Sequence, residues 1–333
     1  MTRWGHILRK VAEVIGTPIR DVESEELLGK AIVLALGSRI WVLGYTGTKG
    51  LRPVAVLHPT IRYWVQELRF AAAETPNYPN TRGPTIPGNQ TVALALVSHE
   101  SADTVDRMIA RWTALTAPTH CLLAYGGPTT QFEQIRSDKV LIPDPRLRTR
   151  DHQREFQSYS KLLAAVVAQL ADKSWNWLFF AEYDLIPLVP DFFVRIIAEA
   201  EDQNADVLAV GAVRLDNTLH PHHGAHASNP DWSAWIESIS CREDPKVVLS
   251  CLGCGQLWRR EALEAVVAAG EVVDSYLEIL LPSIAHHLGF RVRPWKSHAD
   301  FILPDPLPHQ DLDQFQAAGA SAIHPLKGYW AES

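Results

Sequence analysis

The chain has 333 residues, 47% of them hydrophobic and 21% charged. That is enough for one large domain or two smaller ones with a sizeable core, and it excludes general disorder. A formal charge of −7, from 31 Lys+Arg against 38 Asp+Glu, argues against a nucleic-acid binder of the basic-patch kind.

The first residues, "MTRWGHILRKVAEVIG", carry charge but no apolar region ending in a small-residue cleavage site, so no signal peptide is expected. The next stretch, "KAIVLALGSRIWVLGYTGTKGLRPVAVL", is rich in β-branched residues and broken by Gly-Ser and Thr-Gly. It predicts short strands joined by turns. Its most apolar part, Ala31 to Tyr45, contains Arg39 and falls short of the ~20 apolar residues of a membrane helix. A cytoplasmic protein without a transmembrane segment is the expectation. "PTIRYWVQELRFAAAE" follows with Ile61, Trp64, Val65 and Leu68 at helical spacing. Residues 1–74 thus form a small α+β extension of unassigned function. Residues 75–90, with four prolines and two glycines, read as an extended linker.

From residue 91 to 333 the pattern alternates. "TVALALVS" predicts a fully apolar strand, "ESADTVDRMIARWTALTA" an amphipathic helix with acids in its first turn, and "HCLLAYGG" a second strand. "DHQREFQSYSKLLAAVVAQLADK" predicts a long helix, "WNWLFFAEYDLIPL" a third strand, "DFFVRIIAEAEDQ" a helix and "ADVLAVGAV" a fourth strand. Strands apolar on both faces, each followed by a helix, predict an α/β fold: a mostly parallel central sheet with helices on both faces.

Ligands of such sheets bind at the carboxyl ends of the strands. The third strand delivers Glu182 and Asp184 there. Residues two apart on a strand share a face, and two close carboxylates repel unless a cation lies between them. A hard divalent ion, Mg²⁺ or Mn²⁺, suits such oxygen ligands and keeps positions for phosphate oxygens. The bland alternative is that the strand simply surfaces into solvent here.

"FFAEYDLIPL" resembles the D-x-D region of GT-A glycosyltransferases, the nucleotide-diphospho-sugar transferases, in an E-x-D form. The strand, helix, strand and long helix before it follow the family's order. "SCLGCGQLWRREALEAV" is similar to the family's glycine-bearing acceptor segment, "DSYLEILLPSIAHHLGFRVRPW" to its late acid, helix and strand, and "AIHPLKGYW" to its C-terminal histidine segment. The resemblance spans roughly Thr91 to Trp330. It implies Asp184 as principal ligand of Mn²⁺ or Mg²⁺, with Glu182 contacting the donor ribose or the ion. Ser98, His99 and Glu100 would meet the nucleotide, His324 would be a further metal ligand, and Lys327 would face the diphosphate. For an inverting enzyme the base would be Glu278, with Asp274 second. The partners implied are a nucleotide-sugar donor and a hydroxyl acceptor.

Each of these residues also has a plainer reading. Glu278 and Asp274 are the acids a helix N-terminus favours, His324 is a turn residue before proline, and most lysines are solvated. Cys251 and Cys254 form a lone C-x-x-C without the second pair a zinc ribbon needs, and read as packed thiols. His220, His222, His223 and His226 share a loop with Pro221 and Gly224. That offers no tetrahedral frame, so a loop over the site or a solvated loop is favoured over zinc. Trp232 and Trp235 are either a sugar platform or core. Two rivals to transfer stand: a nucleotidyltransferase, although "SHESADT" lacks the glycine and lysine of a triphosphate loop, and a catalytically silent nucleotide-sugar-binding or scaffold protein.

Overall fold

A computed structural model describes residues 31–36, 39–45, 51–57, 90–144, 158–214, 230–242, 244–269, 277–301 and 312–326. The chain divides into two compact units, one of residues 1–74 with 214–228 and one of residues 75–213 with 229–333.

In the first unit β1 (Ala31–Leu36), β2 (Arg39–Tyr45) and β3 (Leu51–Leu57) form an antiparallel sheet in that order. Leu34 pairs with Trp41 and Trp41 with Val56. The register shifts between Val42 and Leu43, where Pro53 enters the pairing. A proline has no N–H for the ladder and is tolerated on such an edge strand beside a bulge. The predicted helix at residues 59–74 and the linker at 75–90 lie outside the described residues, apart from Gln90.

The second unit is built on a seven-stranded sheet of order β13-β9-β12-β7-β4-β5-β6. β4 (Val92–Ser98), β5 (His120–Tyr125), β6 (Lys139–Leu141) and β7 (Trp177–Glu182) run parallel. β9 (Val207–Ala209) pairs parallel with β13 (Val292–Pro294). β12 (Gly255–Arg259) lies antiparallel between β7 and β9. All seven residues of β4 are buried, as an apolar strand covered on both faces must be.

The helices cover both faces. α1 (Ala102–Thr116) starts at Ser101, whose side chain accepts from the Thr104 amide, and ends at Ala117 in the left-handed region at φ 45°. Its buried Val105, Met108, Ile109 and Trp112 recur every three or four residues. Trp112 meets Phe179 of β7 and Phe192 and Phe193 of α4 (Phe192–Asp202) at ring distances of 5.8, 5.3 and 6.4 Å. Phe180, next along β7, points to the opposite face and is equally buried. α3 (Ser158–Gln169) and α6 (Arg260–Ala269) pack together, α3 also against β5. α2 (Thr129–Gln134) is short. The remaining elements are α5 (Pro230–Ile239), α7 (Leu277–His287) and α8 (Leu312–Ala317), with short strands β8 (Ile186–Pro187), β10 (Val213–Arg214), β11 (Leu249–Ser250) and β14 (Ala322–Ile323).

The α/β class and the strand–helix order agree with the sequence, and several details differ. The predicted third strand stops at Glu182; Tyr183 and Asp184 form a turn, and β8 pairs with β14 instead of extending the main sheet. The fourth strand breaks after Ala209, and Gly211 takes φ 65°, a value glycine adopts without a Cβ clash. The long helix is described only from Ser158. β12 has no counterpart in the predicted strand order. Trp232 and Trp235 are buried against each other at 5.9 Å; they are core, because a platform would need an exposed ring face. Among the described residues no helix is long and apolar enough to cross a membrane.

Candidate metal and nucleotide site

β7 and β4 run parallel with Val97 opposite Glu182, so the two strands end side by side. Beyond Glu182 the chain reverses, the Leu185 amide bonding to the Glu182 carbonyl at 3.1 Å. The next segment is clamped to the C-terminal part of the chain. Ile186 pairs with Ile323 and Pro187 with Ala322, the Leu188 amide donates to the Ser321 carbonyl at 2.9 Å, and the Leu326 amide donates to the Asp184 carbonyl at 3.0 Å. This ladder sets His324, which precedes a cis proline, directly across from Asp184.

Three side chains converge there. One ligand atom from each of Glu182, Asp184 and His324 falls within 4.8 Å of the others. His324 Nε2 lies 3.1 Å from Asp184 Oδ1 and 3.9 Å from Glu182 Oε2. The Asp184 side chain is 3% exposed, yet neither its Oδ1 nor either His324 nitrogen has a hydrogen-bond partner among the described residues. The 3.1 Å approach is close enough for an ion pair when His324 carries a proton. Two ligands at adjacent corners of an octahedron, each about 2.1 Å from an ion, are separated by about 3.0 Å. The spacing, the unpartnered buried atoms and the donor set of two carboxylates and an imidazole all fit a hard divalent cation.

Burial works against a charged His324, but the neighbouring Cys254 sulfur and Asp184 carboxylate outweigh it and hold the pKa well above its usual value, so an ion bound there would have to displace that proton. Cys251 and Cys254 are free and buried, and burial pushes both thiols up. Cys251 Sγ accepts from Gln256 Nε2 at 3.3 Å, as expected of packed thiols.

Ser98, His99 and Glu100 sit beside this cluster. Ser98 is 2% exposed; its Oγ accepts from the Glu100 amide at 3.1 Å and its carbonyl accepts from Gly126 at 2.9 Å. Tyr125 Oη donates to the Glu100 carbonyl at 2.8 Å. His99 packs edge-on against Tyr183 at 5.5 Å, which joins the β4 end to the acidic turn. Gly127 is required here, since a Cβ would lie 2.3 Å from the buried Tyr125 ring and 2.8 Å from the His99 carbonyl. Gly127→Ala is expected to cost about 1–3 kcal/mol by overpacking and to loosen residues 98–100; thermal melts and nucleotide titrations check it, and a wild-type melt would contradict it.

Glu278 stands apart from the three-residue cluster. It begins α7, its Oε1 accepts from the Gly253 amide at 3.0 Å, and its carbonyl accepts from Cys251 at 2.9 Å. It therefore fastens residues 251–254, and Cys254 in turn lies against His324. Asp274, Lys327 and the loop with His220, His222, His223 and His226 lie outside the described residues. Sequence reasoning missed His298, a fully buried imidazole near His324. Burial first, then the charge on His324, pushes its pKa down to about 3. It falls in "RPWKSHADF", where no spacing or periodicity singles it out.

No family model and no curated protein matches the chain. Among solved structures it is similar to a mycobacterial protein at 16% identity and TM-score 0.31, over 53% of this chain and 55% of that one. It is also similar to a CMP:2-keto-3-deoxy-manno-octonic acid synthetase complexed with CTP, at 9% identity and TM-score 0.34, over 62% of this chain and 89% of that one. A third is glucosyl-3-phosphoglycerate synthase from Mycobacterium tuberculosis in complex with Mn²⁺, UDP and glucosyl-3-phosphoglycerate, at 14% identity and TM-score 0.28, over 53% of this chain and 59% of that one. The chain spans little more than half the length of the first and third. Its own sheet is mostly parallel, and the acid-tipped β7 lies beside β4 at its centre.

Proposed function

We propose that the protein is a metal-dependent GT-A-type glycosyltransferase that moves a sugar from a nucleotide-diphosphate donor to a hydroxyl acceptor. The observation that carries this reading is the convergence of Glu182, Asp184 and His324 at the carboxyl end of the sheet, where the buried Asp184 Oδ1 and both His324 nitrogens make no hydrogen bond among the described residues. Asp184 and His324 would hold Mn²⁺ or Mg²⁺, with Glu182 completing the cluster or meeting the donor ribose. The ion would neutralise the charge that grows on the leaving diphosphate. Ser98, His99 and Glu100 would meet the nucleotide, and Lys327 would face the diphosphate. In an inverting reaction the acceptor oxygen bonds to the anomeric carbon. The bond to the diphosphate breaks with its electron pair on the leaving group, through an oxocarbenium-like transition state. The acceptor proton passes to an acid at the start of α7, with Glu278 first and Asp274 second.

A thermal-shift screen with UDP-, GDP-, CMP- and dTDP-sugars, each with and without Mn²⁺, tests the reading. One donor should raise the melting temperature only when Mn²⁺ is present, because a ligand that binds the native state alone stabilises it in proportion to occupancy. No shift with any donor would sink the proposal. Binding without transfer to any acceptor would favour the silent protein, and pyrophosphate release from a nucleoside triphosphate the nucleotidyltransferase.

Glu278→Gln separates base from scaffold. Glutamine Oε1 can still accept from Gly253, so the 251–254 loop and donor binding should persist. Loss of the base is expected to lower kcat by about 10²–10⁴-fold. Unchanged kcat in steady-state assays would pass the role to Asp274.

A further inference from the structure

His298 lies in a short 3-10 helix, Lys296–Phe301, just after β13. Its side chain is fully buried, and neither ring nitrogen has a hydrogen-bond partner among the described residues. Buried polar groups are nearly always paired, so an imidazole with both nitrogens unpaired among the described residues calls for a further partner. The mount is rigid. The ring stacks on Trp295 at 4.2 Å and 27°, and Trp295 Nε1 donates to Ser297 Oγ at 3.1 Å. Glu199 of α4 accepts from the Lys296 amide at 2.6 Å and from Ser297 Oγ at 2.5 Å. Trp295 itself abuts Gly255, which touches Leu185, the neighbour of Asp184. The 3-10 helix packs against β14, the strand that delivers His324, and His298 is close enough to His324 to feel its charge. A histidine kept for core packing would be expected to use its nitrogens on the surrounding backbone, as His287 does with Ser240 Oγ at 3.0 Å and the Val247 carbonyl at 2.7 Å.

We propose that His298 is a positioning residue of the metal site, its imidazole hydrogen-bonded to an oxygen in the coordination sphere of the cation held by Asp184 and His324. The inference rests on the metal-site reading. The oxygen belongs either to a water on the ion or to a diphosphate group that replaces it.

The test is calorimetric titration of the full chain with Mn²⁺ alone and with Mn²⁺ plus inorganic pyrophosphate, for wild type, Asp184→Asn, His298→Phe and His298→Gln. Asp184→Asn should remove Mn²⁺ binding, which tests the underlying reading. His298→Phe, which can keep the stack on Trp295, should weaken binding about 10–100-fold, the usual effect of removing an outer partner of a metal site. His298→Gln, which keeps a donor and an acceptor, should recover most of that loss. Weakening with Mn²⁺ alone identifies the water, and weakening only with pyrophosphate identifies the phosphate oxygen. Wild-type affinity of His298→Phe in both arms, with Asp184→Asn defective, would overturn the inference and leave the metal site standing. Equal binding by wild type and Asp184→Asn would overturn both. Should His298→Phe fail to fold, the imidazole ¹⁵N resonances of His298 in the wild type decide: they should move when diamagnetic Mg²⁺ is added with pyrophosphate, and unmoved resonances would reject the proposal.

Discussion

Asp184→Asn is expected to abolish Mn²⁺-dependent binding of the donor and to lower turnover by about 10³-fold or more. A catalytic metal contributes several kcal/mol of charge stabilisation, and each ~1.4 kcal/mol is a factor of ten in rate. The substitution is nearly isosteric and leaves the Asp184 carbonyl free to keep its bond from the Leu326 amide, so the turn and the β8–β14 pair should persist. The melting temperature without metal should fall only modestly: the variant loses the 3.1 Å approach of the carboxylate to His324, and the imidazole can shed its proton instead of remaining a lone buried charge. What should vanish is the rise in melting temperature that Mn²⁺ and donor give the wild type, and wild type treated with a chelator should behave like the variant. A variant that still binds donor in a Mn²⁺-dependent way would remove Asp184 from the metal site and the proposed mechanism with it.

The convergence of Glu182 and Asp184 was legible in the sequence for a reason the structure amends. Two residues apart on one strand would share a face, but Asp184 is not on the strand. The pair meets because the chain turns back at residues 182–185 and is held by β14. That clamp could not be read locally, since the pairing of Ile186 with Ile323 joins distant parts of the chain. His324 was reached only through a resemblance to GT-A enzymes. Strands such as "VALALVS" announced themselves because burial on both faces demands unbroken apolar residues. β12 did not: five residues, "GQLWR", gain their strand conformation from lying between β7 and β9. Trp232 and Trp235 suited an exposed platform or a buried helix face equally, and only the packing around them decides. His298 carried no local signal, because what distinguishes it is a lack of partners, a property of the folded surroundings.

The largest loss of stability is expected far from these ligands, at Asp206→Ala. Asp206 begins the approach to β9 with a side chain 4% exposed. Its Oδ2 accepts from the Arg291 amide at 2.9 Å and from Arg291 Nε at 3.1 Å, and its Oδ1 lies 3.5 Å from Arg259 Nε. Arg259 also reaches Glu201 at 2.7 Å and lies 4.2 Å over the Trp177 ring. One carboxylate thus ties together β9, the end of β12 and the entry to β13. Removing it takes the counter-charge from the buried Arg291 guanidinium and leaves Arg259 with Glu201 alone, and breaking a buried pair from one side costs about 3–5 kcal/mol. Set against a total stability of about 5–15 kcal/mol, that should lower the denaturation midpoint steeply; Asp206→Asn, which keeps an acceptor, should lose less. Arg259 pairs with Trp177, the first residue of β7, whereas Glu182 is its last, so the clamp and the metal ligands occupy opposite ends of the sheet. Well below its melting temperature, Asp206→Ala should therefore bind Mn²⁺ and donor with near wild-type affinity. A wild-type melt would show that the arginines find other compensation. Loss of Mn²⁺ binding in the folded variant would show that the two ends are coupled through β7.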